Sequence, residues 1–324
     1  MFDYKGFSAQ KVEELCASKY VQRYCIRSMY NPSEIYSQGY YFRQYAQFPY
    51  FLPLMVFSEH GIEFGHVEHK EIENDAYAMF VFSDYKKLNY QKASKKICYK
   101  VLHPLIWYRR NNIEQSPLAK GTLAFPSHST SKNDCIFDIE KYIQELKSLP
   151  LDMQPVCVSL HISDIKKGQH LEFIKHGIPV YTAGNPTDYR YGERFYNILR
   201  NFKYGTSNLV GSYAYFCVEM GIPFSLFGQE SKYINISGDR KYDGDYKERE
   251  GYQIAENIFL GIHKHITSEQ KEHVEKNIGN NPDLSRNEMK TLFYKAFLKK
   301  GLTPRVFFYI IKYLLFKYIF RCKL

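Results

Sequence analysis

The chain has 324 residues, enough for two domains of ordinary size, and its apolar and turn-residue content is that of a globular protein. Its net charge of +10 is concentrated in one place: residues 286–324 hold ten Lys/Arg against the single acid Glu288, a net +9, so the rest is almost neutral at +1. That balance excludes a nucleic-acid groove across the body and leaves a basic tail suited to an anionic surface.

The seven cysteines, at positions 16, 25, 98, 135, 157, 217 and 322, occur singly with no zinc spacing, as expected of reduced cytosolic thiols. The N-terminal MFDYKGFSAQKVEELC is charged and lacks the apolar core of a signal peptide, and no apolar run reaches the length of about 18 residues needed for a span. A cytoplasmic location follows as the expectation.

In chain order, residues 8–29 read as a helix with Ser8 as its cap, and residues 30–50, rich in Tyr, Gln and Phe, as irregular. Short apolar strands are expected at 54–57, 76–83 and 97–102. The polar stretch 111–120 (NNIEQSPLAK) serves as a linker. A second alternation follows: strand 121–125, helix 136–148, strand 155–160, helix 169–176 closed by Gly177, strand 179–182, helix 191–202. Residues 196–228 then read helix, strand, polar turn, helix, strand. Strands alternating with helices at this spacing predict an α/β fold with parallel sheets.

The strands of this second half end in small polar clusters: Ser127-His128-Ser129-Thr130, His161 to Asp164, Ala183-Gly184-Asn185 and Thr206-Ser207-Asn208. Ligands of open parallel sheets sit outside the strands' carboxyl ends, so these four endings are expected to share a crevice. Gly211-Ser212-Tyr213 opens a helix whose first N–H groups suit an anion. Ordinary N-capping by Ser, Thr and Asn writes the same pattern. His66 and His69 flank Glu68 without a third ligand, as a solvated face does. Residues 229–250 read as a polar loop over the site, and 251–277 as helical. The tail TPRVFFYIIKYLLFKYIFRCKL, residues 303–324, starts with Pro304 in the first turn and mixes large apolar residues with Arg305, Lys312, Lys317, Arg321 and Lys323. That composition suits an in-plane helix on an anionic membrane, or a helix docked on the core or on a partner.

Three segments carry a family resemblance. KYGTSNLVGSYAYFCVEMGIPF resembles the strand-turn-helix that grips donor phosphates in GT-B-type glycosyltransferases of bacterial surface-polysaccharide (capsule or lipopolysaccharide) assembly. GTLAFPSHST resembles the first strand and loop of their second half. VFSEHGIEF resembles the loop that carries the base in sialyl-, Kdo- and glycerophosphate-transferase-like families. The resemblance implies two Rossmann-like domains facing a cleft: residues 1–115 on the acceptor side, 116–285 holding the nucleotide donor, and 286–324 as a basic amphipathic tail.

It further implies transfer of a sugar from a nucleotide-activated donor to a lipid-linked or polysaccharide acceptor, at the inner face of the cell membrane. Glu59 or His60 would be the base, and His128 would donate to the departing phosphate beside Ser127, Ser129 and Thr130. Thr206, Ser207, Asn208, Gly211, Ser212 and Tyr213 would complete the phosphate cradle, with Asn185 reaching the nucleotide's base or ribose. Neither metal nor cofactor is expected, the donor being a co-substrate, and nucleic acid is not an expected partner. The family's ribose-binding Glu, five residues before Gly-x-Pro, is replaced here by Phe216, which favours CMP or CDP donors over UDP or GDP ones. The rival readings are a nucleotide-sugar epimerase of the same architecture and a catalytically inactive, membrane-bound assembly subunit.

Overall fold

The computed structural model describes residues 2–24, 29–130, 132–238, 246–315 and 318. They form two compact units. One comprises Met1–Val21, Ile113–Asn185 and Glu193–Val274, and the other Gln22–Asn112, Pro186–Gly192 and Glu275–Leu324. The chain thus passes between units more often than a linear division at 115 and 285 implies.

The first unit is built on uncharged runs. TLA, VCVS, VY, YGTS and FSL give strands β4 (Thr122–Ala124), β6 (Val156–Ser159), β7 (Val180–Tyr181), β8 (Tyr204–Ser207) and β9 (Phe224–Leu226), nearly every residue buried. Strands covered on both faces require that composition. All pair in parallel, in the order β7-β6-β4-β8-β9. Helices Ile139–Lys147, Gln169–Lys175, Tyr191–Leu199 and Ser212–Glu219 supply crossovers. This is the doubly wound arrangement, and its winding reverses between β4 and β8. Gly184, at φ +88°, lets the chain after β7 run against the first helix, where a Cβ would stand 2.6 Å from the Leu15 carbonyl oxygen.

The second unit holds a smaller parallel sheet of β1 (Phe57–Ser58), β2 (Met79–Val81) and β3 (Cys98–Lys100), in that order. Phe42, Phe80, Val101, Met289 and Phe293 meet in its core.

Several elements differ from their sequence reading. The first helix is only Ala9–Cys16; Ser8 caps it, its hydroxyl accepting from the Lys11 N–H at 3.2 Å. Within 30–50 lies a helix, Gln38–Ala46, whose buried Gln38, Tyr41, Phe42 and Ala46 follow a helical period that the Tyr/Gln-rich composition obscured. Ile136 does not start a helix, and residues 133–136 are extended. They form β5 (Asn133–Ile136), antiparallel to β10 (Lys232–Asn235), which lies in the segment read as a loop. The helix begins only after Asp138, whose carboxylate accepts from the Lys141 N–H at 2.9 Å. Residues 251–277 contain two helices, Glu250–Phe259 and Ser268–Asn277.

The tail contains the helix Pro304–Leu314, capped by the Thr303 hydroxyl. Val306 and Tyr313 are buried on the second unit, while Phe307, Phe308 and Ile311 are exposed. The expectations for Phe316, Lys317 and residues 319–324 lie outside the described residues, as do Cys25 and part of the 229–250 loop. Five described cysteines are free and buried, and among the described residues no helix is long and apolar enough to cross a membrane.

Candidate active site

In the first unit the winding reversal brings the ends of β4, β6 and β8 together. Asn208 joins two of them: its Oδ1 accepts from the Ser127 N–H at 2.8 Å, and its Nδ2 donates to Ser127 Oγ at 3.0 Å. Asp164 joins the third, accepting from the Ser129 N–H at 3.0 Å. The His128 and His161 rings stack with centroids 4.2 Å apart. Ligand-type atoms of His128, His161 and Asp164 lie within 4.8 Å of one another, a donor set that suits a divalent metal.

His128 directs Nδ1 at the Ser129 carbonyl oxygen, 3.0 Å away, and the His161 Nδ1 accepts from the Ser163 N–H at 3.3 Å. Burial, then the neighbouring His128 and Lys166, hold the His161 pKa well below its ordinary value, so this ring is neutral. Burial raises the Asp164 carboxyl against the pull of the Ser129 N–H. Lys167 brings an ammonium to the cluster, donating to Ser129 Oγ at 3.0 Å and to Asp134. Lys167 bore no sequence signal, because β5, which positions Asp134, was not legible.

The other expected ligands in this unit are placed differently. Thr206 Oγ1 donates to the Ser225 carbonyl at 2.9 Å, and Ser207 Oγ accepts from the Leu209 N–H at 3.1 Å, both inside the protein. Tyr213 stacks on Phe125 at 5.0 Å and donates to the Leu209 carbonyl at 2.7 Å; burial raises its pKa. These three side chains brace the turn after β8. Gly211 caps the helix Ser212–Glu219 without a side chain of its own, with Gly211 and Ser212 half-buried. Thr130 is exposed and accepts from the Lys132 and Asn133 N–H groups. Asn185 accompanies the first helix: its N–H donates to the Leu15 carbonyl at 3.0 Å and its Nδ2 to the Cys16 carbonyl at 3.2 Å.

The second unit separates the two neighbours read as alternative bases. Glu59 is buried, its carboxylate accepting from the Phe82 N–H. Burial, with Glu63 and Glu71 nearby, raises its pKa well above the usual range despite Lys86. His60 keeps 36% of its side chain exposed, and its Nδ1 lies 3.1 Å from Glu63 Oε1. A half-exposed imidazole oriented by a buried carboxylate is the arrangement a general base requires.

Behind Glu63 stands Lys86, a buried ammonium 3.0 Å from Glu63, 2.8 Å from Glu71 and 3.8 Å from Glu59. Burial works against the Glu63 charge, but Lys86 and then His60 outweigh it and hold that carboxyl well below its usual value. Burial and the Glu63 charge push Glu71 up to about 8. Glu63 stands three residues after His60 in the chain, but nothing in the sequence marked it, Lys86 or Glu71 as a partner of His60. Glu71 also belongs to a capping box with Glu68 at the start of the helix His69–Glu73.

No protein-family model matches the chain, and no curated protein matches it either. Among solved structures, two of the wall teichoic acid polymerase TagF, one described with CDPG, share 12% and 13% identity with TM-scores of 0.29 and 0.32; the matches cover 74% and 70% of this chain. TarM shares 13% identity over 72% of the chain with a TM-score of 0.28. The chain spans only 57% and 59% of the TagF chains and 42% of TarM. Likenesses of this degree identify neither family nor substrate.

Proposed function

We propose that the protein is a glycosyltransferase that moves a sugar from a nucleotide-activated donor to a surface-glycan or lipid-linked acceptor at the membrane face. The observation that carries this reading is the cluster at the β4/β8 winding reversal. There, His128, Ser129 and the Lys167 ammonium converge outside the carboxyl ends of a doubly wound sheet, where such folds take nucleotides.

In this reading the donor's phosphates rest against Lys167 and the N-terminal turn of Ser212–Glu219. His128 and Lys167 stabilise the charge that develops on the departing phosphate oxygen. His60 takes the proton from the acceptor hydroxyl, with Glu63 holding Nδ1–H so that Nε2 is the basic nitrogen. The exposed Phe307, Phe308 and Ile311 beside Arg305 and Lys312 support docking of the tail on an anionic leaflet.

The test is donor binding followed by turnover. A nucleotide that binds only the native protein stabilises it by about 2.7 kcal/mol at a hundredfold excess over Kd. CMP, CDP, UDP and GDP are compared by thermal shift on wild type, His128→Ala and Ser212→Ala, and the matching sugar nucleotides are then assayed for hydrolysis. A shift with one nucleotide, lost in both variants, supports the reading. No shift and no hydrolysis with membranes present would overturn it in favour of a non-catalytic assembly subunit.

A further inference from the structure

A second concave site lies wholly within the second unit, away from the residues already assigned. The helices Gln38–Ala46 and Pro104–Asn112 pack with Tyr41 stacked on Tyr108 at 4.3 Å, and the helix Arg286–Ala296 begins beside them. Between them opens a pocket of about 580 Å³, within the range of small-molecule sites. Its lining has a definite chemistry. Trp107, the only tryptophan of the chain, is half-buried there and held edge-on by Tyr45 at 5.7 Å.

Four amides line the same pocket. Asn111 and Asn112 donate Nδ2 back to the carbonyls of Trp107 and Tyr108, at 2.7 and 2.8 Å, which fixes the amides and leaves Oδ1 as an acceptor. Gln44 and Gln47 make no side-chain bond to the described residues, and neither does the Trp107 indole N–H.

The charge in this pocket has one sign. Arg43 is buried and its guanidinium is neutralised by a bidentate pair with Glu34, both contacts at 2.9 Å. Arg286 is exposed, anchored by its Nε to the Tyr45 carbonyl at 2.6 Å, which leaves the rest of its guanidinium for a ligand. No acidic residue lines the pocket. An aromatic face for polarised C–H groups, fixed amides for hydroxyls, and one cation with no opposing carboxylate describe the recognition of a polyhydroxylated ring bearing a single negative charge.

We propose that this pocket binds a saccharide carrying one carboxylate or phosphate, at a site separate from the one where transfer takes place. Arg286 meets the anionic group, Trp107 packs against the ring face, and Gln44, Gln47 and the two asparagines take the hydroxyls. A cationic ligand would meet Arg286 with no carboxylate in the lining to offset it.

Trp107 makes the experiment direct, because its fluorescence reports this pocket without competition from a second tryptophan. The full chain is titrated with glucuronate, glucose 1-phosphate, neutral glucose, inorganic phosphate and CMP. The expected result is a saturable change with the two acidic sugars and a weaker one with glucose. The Arg286→Gln variant is expected to bind the acidic sugars at least about tenfold more weakly, the loss of a charged hydrogen bond, with its response to glucose unchanged. Gln44→Ala is expected to weaken acidic and neutral sugars alike.

Several results would overturn the proposal: no saturable change with any sugar, equal response to inorganic phosphate and glucose 1-phosphate, or tighter binding of CMP than of the acidic sugars. The thermal shift by nucleotides reads the first unit separately. Sugar binding without a nucleotide shift would retain the subsite and sink the transferase, whereas the opposite pattern would sink only the subsite.

Discussion

Substituting Lys86 by Met tests the electrostatic argument for the second unit most severely. Three buried carboxylates face one buried ammonium, at 2.8, 3.0 and 3.8 Å. In wild type, Glu71 keeps its proton up to about 8, whereas an unfolded Glu releases it near about 4.3. A folded pKa above the unfolded one means that the associated stability is complete below the unfolded value and lost as pH rises through the folded one. The slope is at most about 1.4 kcal/mol per pH unit for one proton, and Glu59 acts in the same direction.

Lys86→Met removes what holds Glu63 ionised. The Glu63 charge is then stranded, at a cost of about 3–5 kcal/mol at pH 8. Below that pH the folded variant takes up a proton that the unfolded chain does not. The deficit relative to wild type therefore shrinks by up to about 1.4 kcal/mol per unit, to about 1 kcal/mol at pH 5. Urea denaturation of both proteins at pH 5 and pH 8, followed by Trp107 fluorescence in the same unit, reads the difference. A deficit below about 1 kcal/mol at pH 8, or one equal at both pH values, would show that Lys86 is not the counter-charge of this cluster.

Three further outcomes are expected. With an active donor–acceptor pair, His60→Ala lowers kcat by about 10²- to 10⁴-fold, Glu63→Gln lowers it less, and Glu59→Gln leaves it near wild type; a collapse only in the Glu59 variant would reverse the choice of base. Transfer persists after dialysis against EDTA, whereas a loss restored by Mn²⁺ or Zn²⁺ and abolished in His161→Ala would assign a metal to His128, His161 and Asp164. Removal of residues 304–324 abolishes co-sedimentation with vesicles containing phosphatidylserine, each basic residue near the surface contributing about 1 kcal/mol at physiological salt; binding that survives the truncation would place the contact elsewhere.

Periodicity, apolar runs and polar strand endings were enough to locate the central strands of the first unit, though not their order or the β5/β10 pair. Its five central strands fall where short uncharged stretches occur, and the clusters 127–130, 161–164 and 206–208 meet as parallel-sheet geometry requires. Local sequence sufficed there because a strand covered on both faces must be apolar throughout, and its end must supply hydrogen-bonding groups for the turn. Hydroxyls at such ends serve the turn or a ligand with the same residue types. Only packing showed that Thr206, Ser207 and Tyr213 brace the backbone, and that Asn185 is tied to the first helix.

The same limit applies to the base. Glu59 and His60 are adjacent in the chain, just past the end of β1, and tertiary packing decided which of them is buried beside Lys86. The partners that set the charge, Glu63, Glu71 and Lys86, come from separate segments, as do Lys167 and Asp134 in the first unit. What the sequence by itself determined was where the chain turns and which ends are polar. Burial and charge at the site arise between elements distant in sequence, and the tertiary structure alone brings those elements within the few ångströms over which such forces act.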